Sequence, residues 1–419
     1  MQRKISAELI YKILEEDNFE NSILNGFQKK YAYLPEEDRH FIVRLVKGTV
    51  ERKLELDYYI NKISKIRTSR MKKMVRTILR QAVYEIKYME GSKNYAVVNE
   101  AVTLIKKEGL RTFAGFVNAV LRNYIRQMDE LFPDTLEAKY SIPQWIIDRF
   151  MEELGEEDTI KTLNAFNRHE PLTIRLSSRF DKEETLSILE LEGSDLEEIN
   201  SEFNIFRAKK LPSPAESKAF QQGRYYIQDY SSMFPVMLAG INIDDEIVDL
   251  CAAPGGKSLF AAELARHGSV ISLDKSQDKI DLINENKKRM GADNISAEIR
   301  DATVFVKEFE GRFDKAILDL PCSGLGVIGR KADMRYRIRE DDLKDLSKLQ
   351  KKIIDNGIRY VKPGGRLVYS TCTIDRFENE DNMQYILNNY HDFSLVCEKK
   401  ILPFQYGSDG FYTAVFERK

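Results

Sequence analysis

Cysteine is scarce in this chain: four residues in 419, at Cys251, Cys322, Cys372 and Cys397. No two stand at the two-residue spacing of a metal or redox pair, so neither a disulfide scaffold nor a zinc site is expected. Histidine is as rare. His40, His169, His267 and His391 are scattered singly, outside any ligand-like spacing, and read as structural or exposed residues. No metal is expected. Nowhere do about 18 uncharged apolar residues run together, so no membrane span is expected. The opening MQRKISAELIYKILEEDN places charges on both sides of its apolar positions and lacks a small-residue cleavage site. That argues against a signal peptide and for a cytoplasmic protein. The G-x-G-x-x-G of dinucleotide binders and the P-loop are also absent.

What is present fits a folded globular chain, with 42% hydrophobic and 32% charged residues. Its length exceeds one ordinary core, so two or three domains are expected. The net charge of −2 hides an asymmetry. Residues 1–130 hold 25 Lys and Arg against 17 Asp and Glu, and the remainder holds 40 against 50. The front is therefore the end expected to face a polyanion.

Residues 1–130 carry apolar positions at helical spacing (Ile5, Leu9, Ile13; Phe41, Leu45, Val46; Met74, Ile78, Leu79) with breaks near Pro35 and Gly91, which predicts an all-α domain. Between 62 and 80 lie Lys62, Lys65, Arg67, Arg70, Lys72, Lys73, Arg76 and Arg80 with no acidic residue. A solvated helix face and a phosphate-contacting surface explain that run equally well. From 140 to 222 the texture is mixed, with a helix from Ile146 to Glu153, strand-like TIRL at 173–176 and an acidic helix at 181–193. A small α+β connector is expected there. From 225 to 419 strands and helices alternate. Seven strand candidates (246–250, 270–274, 295–299, 315–320, 366–371, 393–397 and 411–416) predict a doubly wound, mostly parallel sheet. The last two lack a helix between them and suit an antiparallel edge pair.

Chemistry in such a sheet sits beyond the carboxyl ends of its strands. Directly after the first strand comes Cys251-Ala252-Ala253-Pro254-Gly255-Gly256-Lys257, followed by a helix. Small residues there admit a ligand close to the backbone, and the helix N-terminus offers N–H groups to a carboxylate. Asp274 ends the second strand, where an acidic residue can bond ribose hydroxyls. Asp301 follows the third strand and Asp319 lies near the end of the fourth. Each alone reads as a turn residue; together with the loop they point to a nucleoside cofactor such as S-adenosylmethionine.

Asp319-Leu320-Pro321-Cys322-Ser323-Gly324 closes the fourth strand and Ser370-Thr371-Cys372-Thr373 the fifth. Two thiols on one rim have a use: a thiolate added to carbon 6 of cytosine makes carbon 5 nucleophilic, and a second group can then remove the carbon 5 proton. Cys397, and Cys251 in its packing role, read as small hydrophobes.

These motifs resemble those of the Sun-type ribosomal RNA small-subunit 5-methylcytosine methyltransferase B family, within the Nop2/Sun group. The resemblance rests on VDLCAAPGGKS, LDLPCSGLGVIGR, YSTCTIDRFENED and DGFYTAVFERK. VVNEAVTLIKKEG and FVNAVLR are similar to the NusB-type RNA-binding fold, and RHEPLTIRLSS and GRYYIQDYSSM to the family's connector. It implies a NusB-like helical RNA-binding domain over 1–130, the connector over 140–222, and a Rossmann-like class I methyltransferase domain over 225–419. It further implies that Cys251, Ala252, Ala253, Pro254, Gly255, Gly256, Lys257, Asp274, Asp301 and Asp319 hold S-adenosylmethionine, that Cys372 is the nucleophile and that Cys322 assists release. Asp319 would meet cytosine N3. Leu320 and Leu325 stand where the family shows alanine and threonine, and Gly329-Arg330-Lys331-Ala332-Asp333 where it shows Arg-Arg-His-Pro-Asp. The expectation is a monomeric enzyme acting on small-subunit ribosomal RNA. Transfer RNA as substrate, a non-catalytic ribosome assembly factor, and an amino-directed methyltransferase are the alternatives; the last would carry an Asn/Asp-Pro-Pro-aromatic turn in place of DLPC.

Overall fold

The computed structural model describes residues 1–168 and 170–419, so His169 lies outside the described residues. The chain forms two compact units. One comprises Met1–Asn164 with Arg330–Ile338, the other Ala165–Gly329 with Arg339–Lys419. The stretch from 140 to 222 is thus divided between them.

The first unit is helical: α1 (Gln2–Glu15), α2 (Glu20–Lys30), α3 (Glu36–Glu51), α4 (Lys53–Ile63), α5 (Lys73–Tyr88), α6 (Asn94–Lys107), α7 (Ala114–Gln127), α8 (Leu136–Tyr140) and most of α9 (Gln144–Phe166). The three- and four-residue spacing of Val75, Ile78, Leu79, Ala82, Val83 and Ile86 puts one apolar stripe along α5, and all six are buried. Each large side chain so buried contributes roughly 1.5–3 kcal/mol.

The basic run is divided. Arg80 is buried, with Nε 2.8 Å from Asp57 and Nη1 3.0 Å from Glu15. Arg76 Nε donates to Glu15 at 2.7 Å, Lys73 Nζ to the Glu15 carbonyl at 2.9 Å, and Lys62 pairs with Asp134 at 3.0 Å. These four residues serve the helical core and its surface. Lys65, Arg67 and Arg70 stay exposed. The segment Arg330–Ile338, with the short α15 (Met334–Arg337), completes this unit. Arg335 is fully buried, the Tyr336 hydroxyl donates to the Glu51 carbonyl at 3.0 Å, and Asp333 accepts from the Glu20 N–H at 3.0 Å.

The second unit holds two sheets. β1 (Leu172–Leu176), β2 (Asp195–Asn200), β3 (Ile205–Lys210) and β4 (Tyr225–Ile227) form an antiparallel sheet in the order β2-β3-β1-β4, and α10 (Lys182–Leu191) lies between β1 and β2 in the chain. The larger sheet contains β5 (Glu246–Asp249), β6 (Ser269–Asp274), β7 (Ile295–Ile299), β8 (Phe313–Asp319), β9 (Val361–Thr371), β10 (Phe393–Ile401) and β11 (Phe411–Arg418), in the order β10-β11-β9-β8-β5-β6-β7. Every strand anticipated from the sequence is there. β5 to β9 pair in parallel, while β11 runs antiparallel to both β9 and β10, so the last two strands form the expected antiparallel edge.

Central strands read as short continuous apolar runs because both faces are covered. The covering helices include α13 (Gly256–Leu264), α14 (Gln277–Met290), α16 (Glu340–Tyr360) and α17 (Glu380–Asn389); the shorter α11 (Lys218–Gln221) and α12 (Phe234–Leu238) precede β5. Strand order reverses at β5, whose neighbours are β6 and β8. That reversal opens a crevice at the carboxyl ends of β5 and β8. No helix among the described residues is long and apolar enough to cross a membrane.

Candidate active site

The loop after β5 is pinned by backbone hydrogen bonds. The Ala252 N–H donates to the Leu273 carbonyl at 2.9 Å and the Gly255 N–H to the Ala252 carbonyl at 2.7 Å. Gly255 has φ +101°, the left-handed region that favours glycine, and it caps the start of α13. At Gly256 an added Cβ would come within 3.1 Å of the Tyr226 ring, which the small residue avoids.

A cleft of about 480 Å³ opens beside this loop, and its walls include Leu250, Cys251, Ala253, Asp274, Asp301, Asp319, Leu320 and Ile353. Five of the ten residues expected at the cofactor therefore share one cavity. Ala252, Pro254, Gly255 and Gly256 instead shape the turn, with Ala252 buried against Ile280 and Ile283. Lys257 points to Asp319, its Nζ 2.7 Å from Oδ2.

The three strand-end acids differ in kind. Asp274 is buried and accepts from the Ala253 N–H at 3.2 Å, the Lys275 N–H at 2.8 Å and Lys279 Nζ at 3.0 Å. Asp301 is exposed; its Oδ1 accepts from the Thr303 hydroxyl at 2.7 Å and N–H at 2.8 Å, and the hydroxyl bond leads in holding its carboxyl below the usual range. Asp319 accepts from the Ser370 hydroxyl at 2.9 Å in addition to Lys257.

β8 and β9 are parallel neighbours with Asp319 opposite Ser370, so the segments that leave their ends run side by side. Cys322 Sγ lies 3.3 Å from Cys372 Sγ, and both cysteines are half-buried. The shared hydrogen bond with Cys372, followed by burial, pushes the Cys322 thiol well above its ordinary value. Burial, followed by the charges of Asp249, Asp274 and Asp319, pushes the Cys251 thiol up as well, which makes it a poor nucleophile at neutral pH. Cys397 sits on the edge strand β10, away from this rim.

The two thiol loops are stitched to each other. Ser323 Oγ and Thr373 Oγ1 are 2.9 Å apart, and the Gly326 N–H donates to the Cys372 carbonyl at 3.1 Å. The Gly410 N–H in turn donates to the Gly326 carbonyl at 2.9 Å. Leu325, in the place of a polar threonine, is fully buried.

Comparison with known proteins gives this geometry a context. The 16S rRNA methyltransferase RsmB/F family matches residues 236–417, and the NusB family matches residues 1–126. A Bacillus subtilis (strain 168) protein named a probable ribosomal RNA small subunit methyltransferase B is 34% identical over all of this chain and 98% of its own length. The chain belongs to the ribosomal RNA small subunit methyltransferase B family. The crystal structure of PH0851 is similar to this methyltransferase at a TM-score of 0.83, with 26% identity over all of this chain and 99% of that one. The crystal structure of NSun6 from Pyrococcus horikoshii with SFG shares the fold over 66% of this chain and 98% of that one, at 20% identity and a TM-score of 0.60.

The cofactor expected of a methyltransferase of the RsmB/F family is S-adenosylmethionine. The cleft suits it, since Asp274, Asp301 and Asp319 offer acceptors to hydroxyl and amino hydrogens while Leu250, Leu320 and Ile353 offer apolar walls to a flat base.

Two buried acids of this methyltransferase escaped the reading of its sequence. Asp249, fully buried at the end of β5, accepts from Ser258 Oγ at 2.7 Å; its other oxygen has no partner among the described residues, and burial pushes its carboxyl up to about 7. Glu378, also fully buried, is pushed up to about 7 by burial. It accepts from the Ser323 N–H at 2.9 Å and from Gln350 Nε2 at 2.8 Å. The only hint was their presence inside VDLCAAPGGKS and YSTCTIDRFENED; neither run shows which acid turns inward.

Proposed function

We propose that this methyltransferase methylates carbon 5 of a cytosine in small-subunit (16S) ribosomal RNA, with Cys372 as nucleophile and Cys322 assisting release. The observation that carries the reading is the 3.3 Å separation of the two sulfurs, on adjacent strand ends beside a cleft lined by Asp319. The Cys372 thiolate adds to carbon 6 of the ring. The C5–C6 electron pair moves onto carbon 5 and, by conjugation, toward N3. N3 is proposed to meet Asp319, with Lys257 Nζ 2.7 Å from its Oδ2 as the proton-bearing group behind it. When bound, S-adenosylmethionine supplies an electrophilic methyl group on a sulfonium. Once carbon 5 is methylated, the Cys322 thiolate, its own proton released to solvent, takes the carbon 5 proton; the C–H electron pair restores the double bond and the Cys372 thiolate departs.

Cysteines and carboxylates at the floor of a crevice cannot reach a base inside a helix, so the target cytosine is single-stranded or turned out of its stack. The residues proposed to hold the cofactor are Cys251 to Lys257, Asp274, Asp301 and Asp319. For Lys257 the role is indirect, through Asp319.

Bisulfite sequencing of ribosomal and transfer RNA from cells with and without the gene tests the substrate. Loss of one methylated cytosine in 16S RNA is the expected result, and loss confined to transfer RNA overturns that assignment. For the mechanism, Cys372→Ala abolishes methyl transfer with cofactor binding retained in calorimetry, while Cys322→Ala accumulates a covalent protein–RNA adduct on denaturing gels. Turnover by Cys372→Ala refutes the nucleophile, and absence of the adduct from Cys322→Ala moves the release role elsewhere.

A further inference from the structure

Beyond the strand ends, one short segment touches both thiol loops. The turn Arg376–Glu378 follows β9, and Asn379 links it to α17. Glu378 accepts from the Ser323 N–H at 2.9 Å, one residue after Cys322. Gln350 Nε2, which donates to Glu378 at 2.8 Å, also donates to the carbonyl of Pro321 at 3.0 Å, one residue before Cys322. The peptide groups on either side of Cys322 are thus held from one carboxylate and its amide partner. Asn379 does the same for the other thiol: its Oδ1 accepts from Thr371 Oγ1 at 2.5 Å and its Nδ2 donates to the Thr373 carbonyl at 3.0 Å, flanking Cys372.

We propose that Glu378 and Asn379 form a two-armed clamp that sets the distance between the thiols, and that the Glu378 carboxylate acts on Cys322 through its charge. Both are positioning residues, acting through the cysteines. The inference rests on the proposed roles of Cys372 and Cys322 and extends them. A carboxyl with no cationic partner among the described residues is costly to bury, and the cost is out of keeping with a purely packing role. The charge faces Cys322 from the segment after β8 and Asp375 from its own turn. From β9 the Tyr369 hydroxyl bonds the Glu378 carbonyl, and from α16 and α17 the neutral Gln350 and Asn382 close the pocket. Glu380, the next acid, is turned to Lys400 at 2.9 Å. A negative charge beside Cys322 raises the proton affinity of that sulfur, which suits the group that must pull a proton from carbon 5.

The experiment pairs Glu378→Gln with Glu378→Asp in the full chain, with Cys322→Ala and Cys372→Ala as references. Iodoacetamide labelling across pH, read by mass spectrometry for each cysteine, reports the charge effect. Glu378→Gln is expected to lower the Cys322 labelling midpoint by about one pH unit, and Glu378→Asp to leave it near that of the wild type. Single-turnover assays report the clamp. Both variants are expected to lower kcat at least about tenfold with KM for RNA within about twofold, and to build up the covalent adduct as Cys322→Ala does. An unchanged Cys322 midpoint in Glu378→Gln, or wild-type kcat in both variants, overturns the proposal while leaving the cysteine roles intact. Should Cys322→Ala itself give no adduct, the release role of Cys322 fails, and the labelling midpoint still decides whether Glu378 tunes that sulfur. If Glu378→Gln does not fold, Asn379→Ala carries the kcat test from the other arm.

Discussion

Replacing Asp249 by asparagine removes a charge that the fold holds at a loss. The carboxyl is fully buried, one oxygen is bonded to Ser258 at 2.7 Å, and burial raises its value from 3.8 to about 7. An acid whose folded value is raised binds more protons folded than unfolded between those two values. Stability therefore falls as pH rises through that window and levels off above it. A shift of about three units corresponds to a penalty of about 4 kcal/mol at pH 8 and about 2 kcal/mol at pH 5. Asparagine has the same shape and keeps an oxygen for Ser258, but carries no such penalty. The assay is urea unfolding of wild type and Asp249→Asn at these two pH values. The difference in unfolding free energy, variant minus wild type, is expected to grow by about 2–3 kcal/mol from pH 5 to pH 8. A difference that is flat across the two conditions refutes the reasoning, because any change of packing alone is the same at both.

Two further outcomes follow from the site and the helical unit. Asp274→Ala deprives the Ala253 and Lys275 N–H groups of their acceptor and is expected to weaken S-adenosylmethionine binding at least about tenfold in calorimetry; unchanged affinity removes Asp274 from the cofactor site. Arg80→Met leaves Asp57 and Glu15 without their buried partner and is expected to cost about 3–5 kcal/mol in chemical unfolding, whereas a loss below about 1 kcal/mol returns Arg80 to the ranks of surface cations.

The strands and the helical front were legible because their patterns are local. A strand-length stretch rich in apolar residues, such as Val270, Ile271 and Leu273, is buried whatever lies beside it, and the stripe of α5 needs only its own spacing. The thiol pair was legible for a different reason: register between β8 and β9 follows once the two are neighbours, and the cysteines sit two and three residues past paired positions. What escaped was non-local. Arg76 and Arg80 looked like a charged face because Glu15 and Asp57, which neutralise them, lie far back in the chain. Asp249 and Glu378 look like any strand-end or turn acid, and only the packing of α13 and α16 makes them interior. How the loop after β5 closes on itself, through the Ala252 and Gly255 N–H groups, was likewise not written in its run of small residues. Nothing in Arg330–Ile338 signals which unit it completes.

That segment means the helical unit is written in two pieces of gene. Cutting the polypeptide after Asn164 would give a fragment deprived of Arg335, whose guanidinium reaches the Tyr140 carbonyl at 3.4 Å, and of the Tyr336 ring beneath Lys53 Nζ at 4.4 Å. The front half is not a detachable cassette: an exchange between relatives that transplants residues 1–164 must carry 330–338 with it, and mutations in those nine positions are inherited as changes to the helical unit.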